Sequence, residues 1–399
     1  MGTEHRVIPP LKVDLSQFSD ELFEAYGKVI ASGVLVLGEY TRAAEEAFAS
    51  DHNKKYGIAV NSDTAALESV LQFIDIKGQF VLLPQTAFFG VVHVVLRLGG
   101  IPLLLDSDVD NGIFPKTSRW EMAVEKYKPK VALLVYSAGM AGEDVIGTIN
   151  MLAEKGVYSV EDCAHVHGSK YSNGDLVGSA GDFATWSSYA TKIIHSGEGG
   201  MIATSIDAAD DFMKKYRNYG RKIVDAAFTE SASPLGYNWR MTEMQAATLF
   251  IMWKHLDKLI QQRKEVADVY SEYFCPAWPR DFPAGTTAPL EPYELAPRLG
   301  KKNYYRYTVM VPGLTYLGNK KLYAELARLN PSVKLQEKSN HLPISLHKAL
   351  APHSIAAEPF DGARRYSLEH LCMPIYPTLS KIDARYIAES VRYLISERL

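Results

Sequence analysis

The first 250 residues alternate short apolar runs with amphipathic stretches. After Asp63, the apolar positions Leu67, Val70, Leu71 and Ile74 follow i, i+3, i+4, i+7 spacing, which predicts a helix. Residues 79–84 read as a buried strand. Val92, Val95 and Leu96 mark the next helix, which Gly99-Gly100 ends. The alternation continues with strands over 101–106, 131–136, 157–161 and 182–186. Helices fall over 120–127 and 145–155, the second stopped at Gly156. Repeated βα units with short, fully apolar strands predict an α/β fold: a mostly parallel central sheet with helices on both faces. Ligands in such sheets sit at the carboxyl ends of the strands. Polar residues just beyond each strand are therefore the candidates for chemistry.

Residues 242–274 carry a long helical pattern able to link two lobes. Residues 276–300, rich in Pro and Ala, read as a boundary. Beyond it come a strand over 304–311, a helix over 320–329 and a terminal helix over 382–395. The expected organisation is a large domain over 1–255 and a smaller α+β domain over 256–399. The first residues are expected to pack on the small domain. No internal repeat or low-complexity tract interrupts this pattern.

Composition narrows the picture. The chain has 399 residues and a net charge of −3, with 47% hydrophobic and 22% charged residues. No basic stripe suggests nucleic acid, and no apolar run reaches the length of a membrane span. The N-terminal stretch lacks the apolar core of a secretory signal. Three scattered cysteines, Cys163, Cys275 and Cys372, suggest neither a disulfide framework nor a zinc site. A reducing, cytoplasmic setting is expected.

Four strand ends carry polar or aromatic signals. Trp186-Ser187-Ser188-Tyr189-Ala190-Thr191-Lys192, with Gly197-Glu198-Gly199-Gly200 behind it, follows the strand over 182–186. A desolvated lysine there would be nucleophilic toward an aldehyde; a solvated loop cation is the plainer alternative. Val160-Glu161-Asp162-Cys163-Ala164-His165 ends another strand. Asp162 could hold a protonated pyridine nitrogen, cap a helix, or ligate a metal with His165 and His167. Asn61-Ser62-Asp63-Thr64-Ala65-Ala66 opens the first helix, either as an anion site or as a simple N-cap. Phe88 follows the strand over 79–84, placed to stack on a planar ring or to fill the core.

Taken in order, Asn61-Ser62-Asp63-Thr64-Ala65-Ala66-Leu67, Asp162, Ser187, Lys192 and Gly197-Glu198-Gly199-Gly200-Met201 resemble the DegT-type sugar aminotransferases. Tyr216-Arg217-Asn218-Tyr219-Gly220, Gly236-Tyr237-Asn238-Trp239-Arg240-Met241, Gln245-Ala246-Ala247 and Met373-Pro374-Ile375-Tyr376-Pro377 extend the resemblance almost end to end. These are fold-type-I enzymes that use pyridoxal 5'-phosphate. The resemblance implies that Lys192 is the Schiff-base lysine and proton shuttle, and that Asp162 holds the pyridinium nitrogen. It places His165 beside the ring hydroxyl and Phe88 on the ring face. Ser62, Asp63, Thr64 and Ser187 fall in the phosphate cup. Asn238 matches a residue that reaches the phosphate from a second subunit, which implies a homodimer with shared sites.

The activity so implied is ping-pong transfer of an amino group from glutamate or glutamine to a keto-sugar linked to a nucleotide diphosphate. Pyridoxamine 5'-phosphate is the aminated form of the cofactor. His195, Arg221, Lys222 and Arg240 lie in segments able to meet the diphosphate. The chain also departs from the family. Asp63 stands where the cup has Gly, Ser188 replaces an aromatic, and Ala87 replaces a threonine. Ser137-Ala138-Gly139 replaces a His-containing turn, and Ile193-Ile194-His195 a more polar run. A cyclitol aminotransferase fits the resemblance equally. A non-catalytic, cofactor-binding regulator and a metal enzyme built on Asp162, His165 and His167 are the alternatives from other classes. A dehydratase branch carries histidine at the lysine position, and Lys192 argues against it.

Overall fold

Strands buried on both faces set the architecture. The computed structural model describes residues 8–221, 223–224, 227–228, 234–274, 293–295, 301–330, 332–336 and 342–398. Cys275, Lys222 and all of the 276–300 stretch except Tyr293–Leu295 lie outside the described residues. The strands are β1 (Tyr56–Val60), β2 (Phe80–Pro84), β3 (Ile101–Leu105), β4 (Val131–Val135), β5 (Tyr158–Asp162), β6 (Phe183–Ser187) and β7 (Gly200–Thr204). β8 (Ile223–Val224) pairs with β9 (Ala227–Phe228). β10 (Tyr293–Glu294), β11 (Tyr307–Met310) and β13 (His370–Met373) form a three-stranded antiparallel sheet. β12 is Ile355–Ala356.

The main sheet runs β1-β7-β6-β5-β4-β2-β3-β12. Only β7 is antiparallel to its neighbours, so the expected mostly parallel sheet is present. Side chains alternate across it with the strand period of two. Val81, Leu83 and Leu133 face α3 (Asp63–Ile74), α4 (Phe89–Arg97) and α7 (Asp207–Tyr216). Leu82, Ala132 and Leu134 face the opposite layer. That layer holds α1 (Ser19–Ser32), α2 (Glu39–Asp51), α5 (Thr117–Tyr127), α6 (Val145–Glu154) and α8 (Glu243–Lys254).

The helical pattern over 242–274 is two helices. α8 ends with His255 as its C-cap, and α9 (Leu256–Phe274) starts at the next residue. His255 accounts for the break: its Nε2 lies 2.7 Å from Glu21 Oε1, and its ring stacks on Phe18 at 4.9 Å. α8 stays with the first core, and α9 begins there through Leu256, Leu259 and Ile260 before continuing into a second one. That core joins Val266 and Tyr270 of α9 to β11 and β13, to α10 (Tyr316–Leu329) and to α12 (Lys381–Arg398). Ile8 packs there too, its N–H donating to Ser332 O at 2.8 Å.

One late stretch returns to the main sheet, which sequence periodicity does not foresee. β12 adds to β3 in parallel. Ile344 N donates to Gln85 O at 3.0 Å, and Gln85 Nε2 donates to Ser345 Oγ at 2.7 Å. At the start of α11 (Asp361–Glu369), Gly362 N and Ala363 N both donate to the Asp106 carboxylate. Residues 342–363 therefore strap the C-terminal region to the sheet edge. Among the described residues, no helix is long and apolar enough to cross a membrane.

The first layer is tied by one carboxylate. Glu243, at the start of α8, accepts from Gly38 N (2.8 Å), Tyr40 N (2.8 Å), Thr41 N (3.0 Å) and Thr41 Oγ1. A buried anion so placed satisfies the orphan donors of α2 and matches its dipole. Glu243→Ala should lose about 3 kcal/mol in urea unfolding. A loss below about 0.5 kcal/mol would show that water replaces the cap.

Candidate active site

β1, β2, β5 and β6 end on the same edge of the sheet, and each feeds a chain segment into one cavity of about 620 Å³. Beyond β1, Ser62 caps α3, its Oγ accepting from Ala65 N at 3.1 Å. A helix leaves its first N–H groups without internal acceptors. With Ala65 served by Ser62, those of Asp63 and Thr64 remain to meet an anion. Gly200 makes this approach possible. It pairs with Val60 and Ser187, and an added Cβ would lie 2.5 Å from Ser62 C and 2.7 Å from Asp63 N. Any side chain there would lift the helix start off the sheet.

Lys192 stands in the loop after β6, its N–H donating to Tyr189 O at 2.9 Å. Its Nζ lies 5.2 Å from the centroid of the Tyr305 ring. Asp162 closes β5, almost fully buried, with Oδ1 accepting from Ala164 N at 3.1 Å. Burial pushes its carboxyl up; the Ala164 bond and the Lys192 charge oppose this. Asp63 goes inward beside Asp162. The residue keeps some exposed surface, but its Oδ1 is shut off from solvent and has no hydrogen-bond partner. Burial, then the Asp162 charge, push its carboxyl up to about 8 against the Thr185 hydroxyl and Lys192. The Asp63 carboxyl oxygen Oδ1 is thus out of solvent, where burial and the neighbouring Asp162 disfavour its charged form.

His165 stacks on Tyr305 at 4.4 Å and 27°. Burial first, and Lys192 second, hold its imidazole well below the ordinary value, so it is neutral. Its Nδ1 is buried without a partner. Ser187 ends β6 in the cavity wall. Phe88, a residue 51% exposed, lines the cavity, its ring backed by Phe89 at 4.2 Å. Among the described residues, no three His, Cys, Asp or Glu side chains gather as metal ligands. His167 is buried with both ring nitrogens unpartnered, pushed down to about 3 chiefly by burial.

These residues fit pyridoxal phosphate in kind. There is a helix start for the phosphate, a buried carboxylate for the pyridine nitrogen, a lysine for the aldehyde and an exposed ring to stack. The unpartnered His165 Nδ1 adds a polar atom awaiting a ligand.

The cavity also takes residues that sequence patterning did not single out. Tyr305 and Arg306 come from the approach to β11, and Leu342 and His347 from the strap. Arg306 Nη1 donates to Gln336 Oε1 at 2.6 Å. All four stand more than 100 residues beyond Lys192 in the chain, so no local motif marks them. Conversely, four sequence candidates lie outside this cavity. His195 is buried behind the lysine, its Nδ1 3.0 Å from Lys192 O. Arg221 and Arg240 lie over the Tyr219 ring, and Arg240 Nη1 donates to Asn218 Oδ1 at 2.6 Å. Asn238 is exposed and pairs by its backbone with Asn218.

Comparison with known proteins places this geometry. The model of the DegT/DnrJ/EryC1/StrS aminotransferase family matches residues 17–392. GDP-perosamine synthase of Escherichia coli O157:H7 is 27% identical over 59% of this chain and 63% of its own length. A pleiotropic regulatory protein of Geobacillus stearothermophilus is 28% identical over 96% of both chains. The crystal structure of S. venezuelae DesV superposes with a TM-score of 0.83 at 24% identity, covering 99% of this chain and 100% of that one, and so shares the fold.

The contact between Gly200 and the helix start yields a direct test. Gly200→Ala should weaken capture of pyridoxal phosphate about tenfold or more in a fluorescence titration, with the circular dichroism spectrum unchanged. Native affinity in that variant would show that the start of α3 is not the phosphate seat.

Proposed function

Within the DegT/DnrJ/EryC1/StrS aminotransferase family, to which the chain belongs, we propose that this sugar aminotransferase acts on a keto-sugar carried by a nucleotide diphosphate, with glutamate or glutamine as amino donor. The family uses pyridoxal phosphate. One observation carries the reading: Lys192, Asp162 and the start of α3 share one cavity at the carboxyl edge of the sheet. The likeness to GDP-perosamine synthase supports the nucleotide-linked acceptor.

When bound, pyridoxal phosphate supplies an electron sink for the carbon that loses or gains a proton. The residues of the chain do the rest. Lys192 Nζ would be the nucleophile that holds the aldehyde, and the same atom would carry the proton to and from the substrate carbon. Asp162 keeps the pyridine nitrogen protonated. The N–H groups of Asp63 and Thr64, with the Ser62, Thr64 and Ser187 hydroxyls, hold the phosphate. Phe88 covers one ring face. His165, neutral, offers a hydrogen bond to the ring hydroxyl. Donor and acceptor enter the same cavity in turn, between Phe88, Tyr189 and the Leu342–His347 rim.

Asn238 lies outside its own cavity, which fits a phosphate contact made in a second copy. This supports a homodimer with shared sites, as do the exposed Tyr219, Leu235 and Tyr237 around it. The name of the Geobacillus relative favours a second, regulatory role for this fold. A protein with that role alone would hold the cofactor without turning over.

Two outcomes check these readings. With the cofactor in its aminated form, one nucleotide-linked keto-sugar from a panel should restore the visible absorbance of the lysine-bound form. Lys192→Ala should lose that absorbance and about a thousandfold or more of turnover. A panel in which only cyclitol ketones respond would move the acceptor class, and full turnover without Lys192 would refute its role. Mixing Lys192→Ala with Asn238→Ala subunits should restore about a quarter of native activity, because each hybrid dimer regains one intact site. No restoration on mixing, with hybrids present, would place Asn238 outside the shared site.

A further inference from the structure

Asp63 is a carboxylate that a phosphate seat should not contain, yet it occupies the first position of α3. Its surroundings explain how it is tolerated. Asp162 on β5 and Lys192 beyond β6 supply the charges that act on it, and the buried Thr185 hydroxyl of β6 has no hydrogen-bond partner of its own. Thr185 stands directly beside Asp162 in the sheet register. The buried Cys163 thiol is held protonated by burial and by Glu161, Asp162 and Asp63. The other elements packed on α3 direct their charges elsewhere. Arg97 of α4 lies 3.8 Å from Glu68, and Asp210 and Asp211 of α7 pair with Lys214 and Lys215. Asp63 Oδ1 thus sits buried and unpartnered in the cavity that holds Asp162 and Lys192.

We propose that Asp63 and Asp162 work as a proton-sharing carboxylate pair, in which Asp63 keeps the proton and a phosphate seated on the start of α3 locks it there. This rests on the cofactor placement proposed above. The pair then presents one negative charge to the pyridine nitrogen, and no anion faces the phosphate from the helix it caps. Two carboxylates in one buried site cannot both ionise without a large penalty, so one takes a proton from solvent. Asp63 is the member that keeps it, because Asp162 has the Ala164 N–H to stabilise its charge. Asp63 is a positioning residue: it sets the charge state of Asp162 and the seat of the phosphate.

The consequence is a proton linkage. Asp63 is raised to about 8 without ligand, and a phosphate beside it raises it further. Above that pH, binding must take up a proton, so affinity falls as pH rises. The test titrates pyridoxal phosphate into the cofactor-free native protein, Asp63→Asn and Asp63→Gly at pH 7, 8 and 9, reading fluorescence quenching and visible absorbance. The native dissociation constant, divided by that of either variant, should rise about tenfold from pH 7 to 9. Calorimetry of the native protein in two buffers at pH 8.5 should register about one proton taken up. A constant ratio, or no proton uptake, with the visible band intact overturns the pair alone. A native protein that never develops the band overturns the cofactor placement and the pair with it.

Discussion

The ammonium of Lys192 acts at once on Asp63, Asp162, His165 and His167, and the surrounding structure keeps these groups together out of water. Charges of either sign are tolerated in such a place only when each offsets another or finds hydrogen bonds. The lysine faces two carboxylates that burial makes reluctant to ionise. The two histidines meet its charge by staying neutral. The Ala164 N–H, donating to Asp162, supplies part of what remains. This balance is the physical basis for a lysine, two buried carboxylates and an anion seat lying in one pocket.

The fold exists to bring those groups to one edge. Parallel strands point the same way, so residues 62, 88, 162 and 187 arrive together although 125 positions separate the first from the last. The antiparallel β7 completes the arrangement, because its Gly200 lets α3 settle onto the sheet. The C-terminal region then closes the other side. Tyr305 backs His165 and Lys192, and the strap through β12 carries His347 to the rim. Sheet and strap both contribute walls, so the cavity is shaped by contacts made across the whole chain.

The strands and helices around the sheet are legible in the sequence because their periodicity is strong: Leu67, Val70, Leu71 and Ile74 do line one face of α3. The group of Ser62, Asp63, Thr64, Phe88, Asp162, His165, Ser187 and Lys192 is legible as strand ends and as a family resemblance, and the structure gathers it in one cavity. The break at His255 is not legible, since it depends on Glu21 and Phe18, more than 200 residues away. Nor is β12, a two-residue strand that exists only because β3 offers an edge. Asp63 shows the limit most clearly. Beside a presumed phosphate it reads as a conflict, and only the inward path of its side chain, next to Asp162, resolves it.

The most direct test is chemical trapping. The protein, loaded with pyridoxal phosphate and reduced with borohydride, is digested and its peptides are weighed by mass spectrometry. The account predicts one phosphopyridoxyl group, on the Nζ of Lys192. A label on another lysine, or a fully reduced sample with Lys192 unmodified, would contradict it.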